Sequence, residues 1–101
     1  MAHEGLHEDR KDLTDSTLDM HRAIESLMEE LEAVDWYQQR ADACNNPELK
    51  AILAHNRDEE KEHAAMILEW IRRHDGAFDG QLREYLFKDG SIVAKEHAKK
   101  G

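Results

Sequence analysis

From Met20 onward, apolar residues recur in alternating steps of four and three: Met20, Ile24, Leu27, Leu31 and Val34. That spacing lays them on one stripe of a helix that packs lengthwise against another. The pattern predicts helix one from Asp15 or Ser16, where Ser16 and Asp19 stand at capping-box spacing with Asp in place of the usual Glu or Gln, to about Ala43. Such a helix has roughly 28 residues and measures about 42 Å at the usual rise. The run "CNNPE" ends it: the asparagines make the turn, Asn46 caps, and Pro47 suits the first position of helix two. Helix two then runs to His74 or Asp75, with Gly76 as its C-terminal stop. So short a connection between long helices makes an antiparallel hairpin. "DGAFDG" reads as a turn, "QLREYLF" as a short third helix, amphipathic through Leu82, Tyr85, Leu86 and Phe87, and "KDGSIVAKEHAKKG" as holding at most a weak further helix.

Residues 1–13 are therefore expected to be a flexible lead-in, 14–88 a helical hairpin with a short third helix, and 89–101 a C-terminal tail, truncated or weakly helical. The sequence contains no internal repeat, no low-complexity segment and no linker that would divide it. Strand patterns are absent, so the fold class is all-α.

On helix two the inward stripe is Leu49, Ile52, Asn56, Glu60, His63, Ile67 and Trp70, and its centre is polar. On helix one Glu30 stands between Leu27 and Val34, at the edge of the apolar stripe, with Tyr37 two turns further along the same line. Burying a lone carboxylate there costs several kcal/mol unless something compensates, and a cation is the simplest compensation. Carboxylate-bridged di-iron centres in four-helix bundles take one Glu from each of two helices and a Glu-x-x-His from each of the other two, because residues three apart on a helix point the same way. This chain carries half of that set in Glu30, Glu60 and His63. Two copies about a two-fold axis would carry all of it, and the same pairing would thicken a thin core.

Other features have plainer readings. A second Glu-x-x-His, Glu4 and His7, lies in the polar lead-in and is set aside. Glu25, Glu29, Glu32 and Trp36 form an acidic line on helix one, which on its own reads as a solvated face. His21 and Glu25 are spaced to chelate but otherwise belong to the surface. Ile67, Leu68 and Trp70 read as core, and Tyr37 as core or interface, within reach of a hydrogen bond to a ligand carboxylate. Cys44 has no base beside it in sequence.

Composition narrows the function. With 101 residues the chain makes one small domain, for which partners are expected. A net charge of −9 without a basic cluster leaves nothing to neutralise phosphates, which argues against nucleic acid or an anionic membrane and in favour of metal cations or basic proteins. A single cysteine suits a reducing compartment, and no apolar run is long enough to span a bilayer, so a soluble cytoplasmic protein is expected. Two rival functions remain: a metal-independent helical assembly module, and a haemerythrin-like redox or oxygen-binding protein. The latter needs many histidines, and helix two offers only His55, His63 and His74, none four apart.

The stretches "MEELEAVDWYQQRADA", "ILAHNRDEEKEHAAM", "LEW", "RR" and "YLF", spread over about residues 14 to 87, resemble the encapsulated ferritins. These are short ferritin-like cargo proteins of encapsulin nanocompartments. The resemblance implies a two-helix subunit whose dimer rebuilds a ferritin-like di-iron site, and a ring of dimers, a decamer. It implies ferroxidase ligands at Glu30, Glu60 and His63, with Tyr37 beside the site. It also implies a metal-entrance site at Glu29, Glu32 and Trp36, which calcium or another divalent cation would occupy. The implied activity is oxidation of iron(II) to iron(III), with storage left to the encapsulin shell. The family's Gly-, Ser- and Leu-rich docking peptide has no match in the sequence, which reads to "EHAKKG".

Overall fold

The structure, a computed structural model, describes the backbone of residues 5–100 and the side chains of residues 5–96. Glu4 of the discarded Glu4/His7 pair thus lies outside the described residues. Four α-helices follow a short 3₁₀ turn at Arg10–Asp12: α1 (Asp15–Ala43), α2 (Pro47–His74), α3 (Gly76–Tyr85) and α4 (Ile92–Lys100). The expected all-α hairpin is what forms, with α1 and α2 packed along their lengths and α3 resting on α2.

The boundaries follow from local hydrogen bonding. Asn46 caps α2 by accepting the Leu49 N–H at 2.9 Å, and Pro47 fills the first turn, where its missing N–H costs nothing. At the start of α1 the expectation is corrected: the cap is Thr14, whose Oγ1 accepts the Thr17 N–H at 3.1 Å, while Ser16 already lies inside the helix. α2 ends at His74 as expected, but the residue that stops it is corrected. Asp75 both ends α2 and caps α3 through the Phe78 N–H at 2.9 Å, so Gly76 opens a helix instead of stopping one. Most of the stretch expected to be a turn is therefore helical. The C-terminal bound of α3 also moves: the helix ends at Tyr85, and Phe87 adopts a left-handed φ of 58° with its side chain fully in solvent.

An ionic network fixes α3 against α2. Both guanidinium branches of Arg72 are used: Nε and Nη2 donate to Glu69 at 2.7 Å, and Nη1 donates to Asp79 of α3. Arg73 adds a bond to Glu69 and Arg83 adds two to Asp79. Hydrogen bonds from Arg72 and then Arg73 pull the Glu69 pKa down to about 2, and bonds from Arg72 and then Arg83 lower that of Asp79. The same two carboxylates raise the pKa of Arg72.

The core within one chain is small. Leu18 and Ala41 of α1 and Ala64 and Ile71 of α2 are buried, and Ile71 is sealed almost completely, at 1% exposure. Ile67, Leu68 and Trp70, expected to be core, are only half-buried, and Trp70 stacks on His74 with ring centroids 4.0 Å apart. Much of the stripe expected to face the partner helix faces outward: Ile24, Leu31 (55%), Leu49 and Ile52 (51%) remain exposed, as do Met28 and Met66. Periodicity identifies an apolar line without saying which surface covers it. Here the hairpin closes on Leu18, Ile71 and two alanines and leaves many of its large apolar side chains for something else. No helix of the described residues is long and apolar enough to cross a membrane.

Candidate metal centre

Glu30 comes from the middle of α1, and Glu60 and His63 from the middle of α2, three residues apart and hence on one side of that helix. Antiparallel pairing brings the three together. His63 Nδ1 lies 3.6 Å from Glu30 Oε2 and 3.5 Å from Glu60 Oε2, and one donor atom from each residue falls within 4.8 Å of the others. These separations are too long for good hydrogen bonds. They are close to those of atoms sharing a cation, since metal–ligand bonds of about 2.1 Å place neighbouring ligand atoms about 3 to 4 Å apart.

Burial sharpens the point. The Glu30 and Glu60 side chains are 24% and 23% exposed, and Glu30 Oε2 is buried with no hydrogen-bond partner. A carboxylate oxygen withdrawn from water and left unbonded is destabilising unless a positive charge completes it. His63 is 46% exposed, so the trio is open to solvent on one side. Two carboxylates and one imidazole form a hard, borderline donor set suited to iron, zinc or manganese.

The remaining candidate residues are placed differently. Glu29, Glu32 and Trp36 all lie on the exposed surface of α1, and neither glutamate joins a group of metal-capable side chains among the described residues. Tyr37 is half-buried, with the Arg40 guanidinium 5.4 Å from its ring centroid and 6.0 Å from that of Trp36. His21 and Glu25 form a half-buried pair at 3.0 Å.

Sequence reasoning missed a second group, Glu59, Glu62 and His63, which shares the histidine with the first and faces outward, with His55 3.4 Å from Glu59. The four-residue spacing of Glu59 and His63 was the available signal. It also missed a link between the helices on the turn side of the trio, where Arg57 Nη1 donates to Gln38 Oε1 at 2.9 Å.

Comparison with known proteins identifies the family of the chain. The sequence profile of the EncFtn-like family matches residues 5–89. An encapsulated ferritin-like protein of Rhodospirillum rubrum is 63% identical over 92 residues, covering 91% of this chain and 66% of that protein, so the chain spans just under two thirds of that relative. A ferritin-like protein of Thermotoga maritima is 48% identical over 95 residues, covering 94% of this chain and 83% of its own length. The encapsulin nanocompartment cargo protein EncC of Myxococcus xanthus is 50% identical over 46 residues, which is 46% of this chain and 35% of EncC. A crystal structure of a protein from Nitrosomonas europaea superposes with a TM-score of 0.84 at 67% identity, covering 87% of this chain and 97% of that one. The chain belongs to the EncFtn-like family of encapsulated ferritin-like proteins.

Proposed function

We propose that the protein is a ferroxidase whose site is half built in one chain and completed by a second copy. The observation that carries this reading is the buried, unbonded Glu30 Oε2 held beside Glu60 and His63, together with the outward face of large apolar side chains that the hairpin leaves uncovered. A second hairpin on that face would bury Ile24, Leu31, Leu49 and Ile52 and present its own Glu30, Glu60 and His63 to the first set. Iron(II) is the substrate. Four carboxylates would neutralise the charge of a pair of ions; each ion would give one electron to the same dioxygen, which with two protons from water would become hydrogen peroxide, and both would leave as iron(III).

In this reading Glu60 and His63 would hold the ions from α2 and Glu30 from α1, with Tyr37 beside the site. The exposed line of Glu29 and Glu32, with Trp36, forms the entrance, where two carboxylates raise the local concentration of iron(II) or of another divalent cation such as calcium. Dimers would assemble further into a ring such as a decamer. An open ring encloses no mineral, so an encapsulin shell in the cytoplasm would receive the product, a partner suggested by the cargo name of the Myxococcus relative.

The test is iron(II) oxidation in air, followed by the absorbance of iron(III), for the wild-type protein and for Glu60→Ala and His63→Ala. Oxidation well above the buffer rate, lost in both variants while they remain helical and associated, is the expected result. Unchanged oxidation in either variant would remove that residue from the site.

A further inference from the structure

Metal donors on two different helices are useful only if the helices are held in register. The large buried side chains of the α1–α2 seam, Leu18 and Ile71, lie towards the end away from the turn; at the site and on its turn side the buried positions are alanines, Ala64 on α2 and Ala41 on α1. Such small side chains let backbones approach closely but supply no knob to stop one helix sliding along the other. A slide of one residue moves a donor by about 1.5 Å, whereas functional constellations need placement within about 0.5 Å.

A chain of four polar side chains crosses this seam on the turn side of the trio. Arg57 Nε donates to Asp58 Oδ1 at 3.0 Å and Arg57 Nη1 donates to Gln38 Oε1 at 2.9 Å. Gln38 Nε2 in turn donates to Asp42 Oδ1 at 2.9 Å, so both ends of the amide are used and its orientation is fixed. The Arg57 side chain is only 21% exposed, and its bond to Asp58 lowers the pKa of that carboxylate. Arg57 is three residues before Glu60, one turn along α2. Gln38 lies eight residues after Glu30 on α1, about 12 Å along its axis.

We infer that Arg57 and Gln38 are positioning residues for the metal centre, a clamp that sets the axial register at which Glu30 meets Glu60 and His63. The inference rests on the metal-site reading above. Neither residue touches the ion. The planar fork of Arg57 suits the task, because it bonds its own helix through one nitrogen and the opposite helix through another.

The test uses the full chain and cobalt(II), which reports ligand geometry through its visible absorption and is not oxidised on binding. Arg57→Leu and Gln38→Leu should each weaken cobalt(II) binding about tenfold, the lower end of what loss of a supporting contact costs a metal site, and should alter the absorption band. The double variant should lose no more than either single, because both break one link. The exchange Gln38→Arg with Arg57→Gln rebuilds the link in reverse and should restore binding to within about threefold of wild type. If Arg57→Leu does not fold, Gln38→Asn, one methylene shorter on an exposed residue, reads the same quantity. A merely structural clamp would lower the melting temperature and leave cobalt(II) affinity and spectrum unchanged, and that result overturns the inference. Losses that add in the double variant, or no recovery in the exchange, overturn it equally. Failure of the wild-type protein to bind cobalt(II) would instead overturn the metal site, and the clamp's role with it.

Discussion

Replacing Glu30 by Gln should stabilise the metal-free protein and abolish the stability it gains from metal. Glu30 Oε2 is buried without a hydrogen-bond partner from the protein, and a Glu60 oxygen lies within 4.8 Å of the Glu30 donor. An unsatisfied buried polar atom costs about 1 to 3 kcal/mol. Glutamine has the same shape, carries no charge, and places an N–H donor where Glu60 can accept from it, so a gain of about 1 kcal/mol is expected. For a domain of this size that raises the melting temperature by about 4 to 8 °C. Cobalt(II) at a hundredfold excess over its dissociation constant should stabilise the wild-type protein by about 2.7 kcal/mol, and should stabilise the variant hardly at all. The order of the two melting temperatures therefore inverts on adding metal. Circular dichroism melts at one fixed protein concentration measure this, since association couples stability to concentration. A variant that melts below wild type without metal, and gains as much from metal, would refute the account of Glu30.

Three further outcomes are expected. Glu69→Gln should lower the melting temperature at neutral pH; because the folded pKa of about 2 lies below the unfolded value near 4.5, the unfolded chain binds more protons between them, so the deficit should shrink as pH falls from about 4.5 and vanish near 2. Ile71→Ala, which empties a position 1% exposed, should cost about 2 to 5 kcal/mol by urea unfolding, and a cost within 0.5 kcal/mol would mean that α1 and α2 do not close on that residue. Glu32→Ala should slow iron(II) uptake at low salt without changing the final stoichiometry, and the difference should fade at high salt; complete loss of oxidation would place Glu32 in the centre itself.

The hairpin was legible because its signals are local. Asn46 and Pro47 mark a helix start through hydrogen bonding that needs no other part of the chain, and Glu60 and His63 share a face by helical geometry alone. Two boundaries misled because neighbouring residues compete for one role. Ser16 with Asp19 had the spacing of a capping box, yet Thr14 reaches the Thr17 N–H, and Gly76 resembled a stop although Asp75 before it caps a new helix. The division of the apolar residues between the hairpin's own seam and its outer face was not legible. Ile71 and Ile52 look alike in sequence, but one is 1% exposed and the other 51%, a difference created only by how the other helices pack on α2. The link from Arg57 to Gln38 was hidden for the same reason, since it joins residues 19 apart whose juxtaposition depends on register.

A metal centre shared between two chains can be read from its stoichiometry by anaerobic iron(II) titration. The account predicts tight binding that saturates near one iron per chain, two for each pair of copies, followed by rapid oxidation on admitting air, with both lost in Glu60→Ala. No stoichiometric binding, with oxidation only at the rate of buffer, would contradict it and leave Glu30, Glu60 and His63 as a polar seam between helices.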